Sequence, residues 1–126
     1  MKRIDLIYVL IGVLYLTTGM TLGIVMGMRH DFQLEPVHAH INLVGFVAHS
    51  LFGLMHRAWP SLRTGVLAMA QFWFFVLGSP VFLIGITLAI LAGNAILAII
   101  GSILLLVGAL LFLAMLIGSG FAAANI

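Results

Sequence analysis

The chain has 126 residues, of which 64% are hydrophobic and 6% are charged, and its mean hydropathy is +1.33. Soluble domains carry about a quarter of their residues as charged side chains, so this composition excludes a soluble globular fold and a disordered chain. The net charge of +2 comes from scattered cations, which excludes a nucleic-acid-binding surface. The absence of cysteine excludes disulfides, thiolate-bound zinc, iron–sulfur clusters and covalently attached c-type haem.

The charged residues divide the first half of the chain into two apolar stretches. Residues 6–28 contain no charge and are long enough to cross a membrane as a helix. Residues 36–56 form a second such stretch, and Pro36 suits the first turn of a helix because its missing N–H has no partner there. We therefore expect the first two membrane-spanning helices over these ranges.

The second half of the chain has no charged residue after residue 63, and it is too long for one span. Gly93 and Asn94 are the expected break, which predicts a third span over residues 64–92 and a fourth over residues 95–117. The predicted fold class is an all-α integral membrane protein, with one four-helix transmembrane domain over residues 1–126.

Basic residues predict the orientation of this domain. Lys2, Arg3, Arg57 and Arg63 fall on one side of the predicted spans, and Arg29 alone falls on the other. Because cytoplasmic loops are enriched in Lys and Arg, both termini are expected in the cytoplasm of a bacterium, with the protein in its inner membrane.

Two ridges of small residues indicate close helix packing. They comprise Gly19, Gly23 and Gly27 on the first span, and Gly85, Ala89 and Gly93 on the third. Such ridges serve packing within one chain or pairing of two chains, and we favour packing within the chain.

The second span carries four of the five histidines and one asparagine. At about 100° per residue, a single face of the helix collects a set of residues that we call the histidine stripe. The stripe comprises His38, Asn42, Gly45, His49, Gly53 and His56. His40 lies roughly 200° from His38, on nearly the opposite face.

Polar side chains inside a membrane are costly and mark functional sites. Neutral imidazole ligates iron or copper or transfers protons, so His38, His40 and His49 are candidate metal ligands. Gly45 and Gly53 are expected to leave flat gaps for a planar cofactor beside Asn42. The competing interpretation is that the histidines bond to carbonyls and that the glycines only permit packing.

One pattern resembles a known family. His38-Ala39-His40, followed by Gly45-Phe46, Gly53, Met55 and Trp59-Pro60, resembles the tenth helix of subunit I of cbb-type haem-copper oxidases. In that family the two histidines point to opposite sides, and each ligates a haem b. The segment from Gln71 to Gly78 resembles the next helix of the same subunit.

The chain departs from that family in several places. Phe46, His56 and Gln71 stand where Trp, Tyr and His are usual, and the family subunit has twelve spans. The resemblance implies haem b, in electron transfer or in binding O2 or NO, with copper as a further metal. If the chain is catalytic, it would act as a haem-dependent oxidoreductase.

The family fold also suggests an assembly. It resembles three arcs of four helices around a pseudo-threefold axis, with the metal-ligating helix second in each arc. The histidine-bearing helix is second of four here as well. The resemblance therefore implies a homotrimer in which His38 of one protomer and His40 of its neighbour hold a haem.

Two other functions fit the residues. A copper-handling protein would use Met26, Met28, His30, His38 and His40, because thioethers and imidazoles bind copper. A non-catalytic accessory subunit of a respiratory complex would use the packing ridges and leave the histidines as hydrogen-bonding groups. A small multidrug exporter is disfavoured because no predicted span contains a carboxylate.

Overall fold

The computed structural model describes residues 3–120, so Lys2, which contributes to the predicted orientation, lies outside the described residues. Every regular element over that range is helical, and four helices are long and apolar enough to cross a membrane. They are α1 (Ile4–Arg29), α2 (Glu35–Ala58), α3 (Val66–Ala92) and α4 (Ile96–Gly118). The prediction of four long apolar helices is confirmed, and their ends differ from the predicted ones by only a few residues.

The ends of the helices follow local backbone chemistry. Pro36 occupies the first turn of α2, as the sequence predicts. Gly93 ends α3 in the left-handed conformation, at a φ of 68°, which glycine adopts without the strain that a Cβ would cause. The Asn94 side chain then accepts a hydrogen bond from the backbone N–H of Ile96 over 3.1 Å, at the start of α4. The predicted break between the third and fourth spans is therefore confirmed.

Helix α2 is not α-helical throughout. Residues Glu35–His40 and His49–Ala58 are α-helical, whereas Ile41–Ala48 between them form a π-helix. A π-helix bonds each N–H to the carbonyl five residues earlier, and such segments are frequent at functional sites. The sequence pattern predicts one continuous α-helix here and does not reveal this segment.

The helices form two antiparallel hairpins, and glycine brings the backbones of α3 and α4 into contact. A Cβ added to Gly85 would overlap the backbone of Ala98, and one added to Gly101 would overlap the backbone of Phe82. Gly19 and Gly23 of α1 likewise contact side chains of α2, whereas Gly27 faces open space. Gly19, Gly23 and Gly85 therefore serve packing within the chain, as we favoured, whereas Gly27 and Gly93 of the two ridges contact no neighbouring helix.

Three apolar clusters join the two hairpins. One contains Ile4, Tyr8 and Phe72, and it places the start of α1 beside the start of α3. Another joins Leu62, Ala68, Phe112 and Met115, and it places the end of α4 at the same end of the bundle. The third contains Val37, Ile41 and Leu83 in the other half of the bundle. The start of α1 and the end of α4 therefore share one end of the bundle.

An ionic contact closes that end. Asp5 is buried in the first turn of α1, and its Oδ2 lies 3.4 Å from Nη1 of Arg57 and 3.7 Å from Nη1 of Arg63. Arg57 ends α2, and Arg63 lies in the short 3₁₀ segment Pro60–Arg63 between the hairpins. The contact thus ties α1, α2 and the connecting loop together.

Candidate functional site

The histidine stripe faces α1 along its whole length. Its outer end, defined as the end near Glu35, contacts Gly19 and Gly23 through His38 and Asn42. Its inner end, near the Asp5 contact, meets Tyr8. The face deduced from a period of 100° is therefore a real helix face, and the π-helical segment does not disrupt it.

His38 is half-buried, and its ring lies over the bare backbone of Gly23. Its Nδ1 is 2.8 Å from the carbonyl oxygen of Gly19. Asn42 donates from Nδ2 to the carbonyl oxygen of His38 over 3.0 Å, and its side chain contacts Gly19 as well. Asn42 thus supports the backbone that carries His38.

His40 is also half-buried, but it contacts a different helix. Its ring meets Phe82 of α3 edge-on, with the ring centroids 5.3 Å apart. Its Nδ1 lies 2.7 Å from the carbonyl oxygen of Pro36, one turn earlier on the same helix. His38 and His40 therefore face different neighbours, α1 and α3, as the spacing of two residues predicts.

The hydrogen-bond partner of Nδ1 determines which ring nitrogen of His38 and of His40 carries the hydrogen. A carbonyl oxygen only accepts hydrogen bonds, so Nδ1 of His38 and of His40 must carry a hydrogen to make these contacts. In the neutral ring the lone pair then resides on Nε2. Metal-ligating histidines are commonly anchored in this way, with one ring N–H donated to a carbonyl and the other nitrogen presented to the metal.

The expectation that Gly45 and Gly53 leave flat gaps is wrong. A Cβ on Gly45 would lie 2.5 Å from Cγ of Tyr15. A Cβ on Gly53 would lie 2.7 Å from the carbonyl oxygen of Asp5 and 3.1 Å from Cβ of Tyr8. Side chains and backbone of α1 occupy both positions, because the stripe packs on α1 and not on an open cleft.

His49 is fully buried near the middle of the bundle, at 0% exposure. Its Nδ1 lies 3.0 Å from the carbonyl oxygen of Val44, five residues earlier, within reach because the π-helix shifts that carbonyl. Its ring is surrounded by Tyr8, Tyr15 and Phe75, with centroids between 5.1 and 5.9 Å away. His49 is thus enclosed within the chain, unlike the half-buried His38 and His40.

The copper candidates differ in their exposure. His30 ends α1 in the left-handed conformation at the surface, Met28 is 78% exposed, and Met26 is buried. Within residues 3–120, no group of three or more histidine or carboxylate side chains is arranged to hold a metal ion. A metal site built from histidine and carboxylate side chains alone would therefore need a second chain or a cofactor that brings further ligands.

Sequence reasoning missed Tyr8 as a partner of the stripe. The Tyr8 ring lies nearly parallel to that of His56, at 11° and 5.7 Å, and its hydroxyl donates a hydrogen bond to Oε1 of Gln71. In the sequence, Gln71 stands out only as a departure from the pattern of the resembling family. A buried glutamine in an apolar span was the available signal, because such a side chain requires a hydrogen-bonding partner.

Comparison of the chain with protein-family models, with curated proteins and with solved structures finds no match.

Proposed function

We propose that this chain is a haem-b-binding protein of the bacterial inner membrane. It serves electron transfer or the binding of O2 or NO, with His38 and His40 as the axial ligands. The observation that supports this proposal best is that Nδ1 of each imidazole is hydrogen-bonded to a main-chain carbonyl oxygen. The distance is 2.8 Å for His38 and 2.7 Å for His40. That anchoring fixes each ring and leaves the Nε2 lone pair for iron.

The donor set fits haem iron better than it fits a free metal ion. Histidine is a common axial ligand of haem, and haem needs one or two ligands from the protein, because the porphyrin supplies the rest. The described part of the chain holds no cluster of three or more imidazole and carboxylate ligands, which an ion without a macrocycle would need. The half-buried positions of both rings keep them within reach of a group bound at the protomer surface.

The two ligands belong to different interfaces. The His38 ring packs on α1 and the His40 ring on α3, so one protomer does not direct both rings at the same iron. Ligation by two histidines thus favours a symmetric oligomer in which His38 of one copy faces His40 of the next. A homotrimer is the assembly that we propose. Many apolar side chains on the four helices are exposed and available to lipid or to other copies.

When held by two histidines, haem would supply a one-electron couple; when held by only one of them, it would offer an open position for a diatomic gas. The chain's own residues hold and orient it. Gly19 accepts the N–H of His38 and limits its rotation, and Asn42 fixes the backbone at the same turn. Pro36 plays the corresponding role for His40. The apolar side chains around these rings would limit the access of water to a bound haem, which is one of the factors that set its reduction potential.

The test is haem content. The full chain is purified in mild detergent from cells supplied with haem precursor, and its absorption spectrum is recorded in the oxidised, reduced and carbon monoxide-treated states. We expect a Soret band in the native chain, its loss in His38→Leu and His40→Leu, and its retention in His30→Leu. The last variant carries the same substitution at an exposed position.

Helix content and elution volume verify that each variant folds. His38→Gln and His40→Gln repeat the experiment with a polar replacement, in case leucine alters packing. Colourless native protein would contradict the proposal. Retention of the Soret band in a double variant that combines His38→Leu with His40→Leu would also contradict it. A monomer whose haem is held by two histidines would contradict the proposed sharing of the haem between two copies, but it would not contradict haem binding.

A further inference from the structure

A groove lies on the outside of the bundle, between α1 and α2, at the end that the ionic contact closes. Its volume is about 260 Å³, and we call it the interfacial groove. Arg3, Leu6 and Val9 line it on the side of α1, and Leu54 and Arg57 line it on the side of α2. None of these residues has a part in the proposed haem site.

The order of the side chains along each wall follows the helix period. Arg3, Leu6 and Val9 are spaced three residues apart, and so are Leu54 and Arg57, so each set lies along one side of its helix. Since α1 begins and α2 ends at this end of the bundle, each wall has an arginine at its end and apolar side chains deeper in. The groove therefore has a cationic mouth and apolar walls, which is the polarity of a phospholipid.

Gly53 brings the two helices together beneath the groove. A Cβ there would lie 2.7 Å from the carbonyl oxygen of Asp5 and 2.7 Å from Cγ2 of Val9, so α1 approaches the bare backbone of α2 at this point. The side chains on the two walls remain open, with Leu6 at 42% and Leu54 at 59% exposure. If the four helices cross a membrane, these apolar walls face its lipid.

The arginines outnumber the carboxylate beside them. Asp5 also lines the groove, but it is buried, and its Oδ2 lies 3.7 Å from Nη1 of Arg63, which is not part of the groove, and 3.4 Å from Nη1 of Arg57. One arginine is sufficient to balance this carboxylate, so positive charge is left over at the mouth.

Both arginines of the mouth retain donors for an anion. Arg3 forms no ion pair within residues 3–120. Arg57 contacts Asp5 through a single nitrogen, its side chain is 72% exposed, and a guanidinium carries five N–H donors. Arginine binds phosphate in a planar, two-pronged geometry, so a phosphate group is the anion that suits this pair.

We propose that the interfacial groove binds one anionic phospholipid of the surrounding membrane, with its phosphate between Arg3 and Arg57 and an acyl chain along the apolar walls. A free phosphate ion would reach the arginines but leave the walls uncovered. A zwitterionic choline head group would bring its own cation to a mouth that already has an excess of positive charge, so the charges favour an anionic lipid. The bound lipid would join α1 to α2 from the outside.

Native mass spectrometry of the full chain tests the proposal. The chain in mild detergent is mixed with equal amounts of phosphatidylglycerol and phosphatidylcholine that carry the same acyl chains, and the lipids retained per chain are counted. We expect one phosphatidylglycerol to be retained in preference to phosphatidylcholine. Excess glycerol phosphate, which has the phosphate but no acyl chain, should not displace it.

Charge variants locate the head group. Arg3→Gln and Arg57→Gln should each lower the retention of phosphatidylglycerol about fivefold, because an arginine near an anionic head group contributes about that factor. Arg29→Gln removes an exposed arginine at the other end of α1 and is the matched control. It should leave retention within about twofold, because general attraction of anionic lipid to the chain is all that it changes.

Two leucine variants locate the acyl chain without changing any charge. Leu54 and Leu51 both belong to α2 and are similarly exposed, at 59% and 53%, but only Leu54 lines the groove. Leu54→Trp should abolish the preference for phosphatidylglycerol because the indole fills the groove, and Leu51→Trp should preserve it. Helix content and elution volume verify that every variant folds.

Four results would overturn the proposal. They are a native chain with no preference for phosphatidylglycerol, an equal loss of retention in Arg29→Gln, displacement of the lipid by glycerol phosphate, and a changed oligomeric state in Leu54→Trp with unchanged lipid retention. The third would assign the arginines to a free phosphate, and the fourth would assign the groove to a second copy of the chain. Lipid retention is read without haem, so the failure of this proposal and the failure of haem binding are distinguishable.

Discussion

Glycine 23 is the position where a single methyl group tests the geometry around His38. A Cβ added there would lie 2.9 Å from Cε1 of the His38 ring, whereas ordinary contacts of this kind lie at 3.4 to 4 Å. Gly23→Ala therefore pushes the ring away from α1. The displacement stretches the bond of 2.8 Å from Nδ1 to the carbonyl of Gly19 and weakens it.

The expected cost follows from three contributions. Loss of one hydrogen bond costs about 1 kcal/mol, and overpacking costs about 1–3 kcal/mol. Alanine in a helix interior returns roughly 0.5–1 kcal/mol relative to glycine. Gly23→Ala should therefore lower the free energy of unfolding by about 1–3 kcal/mol. Gly27→Ala, one turn further along α1, faces open space and should raise it by roughly 0.5–1 kcal/mol.

The assay is unfolding of the purified full chain by added denaturing detergent in mixed micelles, followed by circular dichroism. Under the proposed function the same substitution also misplaces a ligand, so Gly23→Ala should bind less haem, while Gly27→Ala should not. A Gly23→Ala variant as stable as Gly27→Ala would show that the His38 ring does not rest on Gly23.

Three further predictions follow from the packing and the charges. Gly101→Ala should destabilise the second hairpin by about 2–3 kcal/mol, measured by the same unfolding assay, because its new methyl group meets backbone that cannot yield. Arg63→Gln should lower stability more than Arg57→Gln, and added salt should weaken the contribution of Arg57 more than that of Arg63, because the Arg57 side chain is 72% exposed and that of Arg63 only 23%. Equal effects would show that burial does not decide the strength of these ion pairs. Because the chain has no cysteine, Gln33→Cys should react with an impermeant thiol reagent added to intact cells, and Ser61→Cys only after permeabilisation. The reverse pattern would invert the predicted orientation.

The four long apolar helices could be predicted from the sequence, because the positions of the charged residues and the lengths between them determine where such helices begin and end. An uncharged stretch of about twenty residues has few alternatives to a membrane helix, and Gly93 with Asn94 supplies a break that no neighbouring residue offers. The histidine stripe was predictable for a similar reason, since a helix period places residues on faces without knowledge of tertiary contacts.

The partners of the stripe could not be predicted in the same way. Nothing in the spacing of Gly45 and Gly53 reveals whether a cofactor or a neighbouring helix fills the space beside them. The structure places Tyr15 and Tyr8 there, and only the packing of α1 on α2 decides this. The convergence of Gln71 with His56 on Tyr8 likewise depends on three helices at once.

The π-helical segment Ile41–Ala48 sets the rotational phase between the two halves of α2. His38 and His40 lie before it, and His49 and His56 lie after it. Removal of one residue from this segment would restore an ordinary α-helix and leave the two halves in nearly the same phase, because a π-helical segment accommodates about one extra residue. The four imidazoles would keep their faces, and the contact from Nδ1 of His49 to the carbonyl of Val44, five residues earlier, is the one that would lose its geometry.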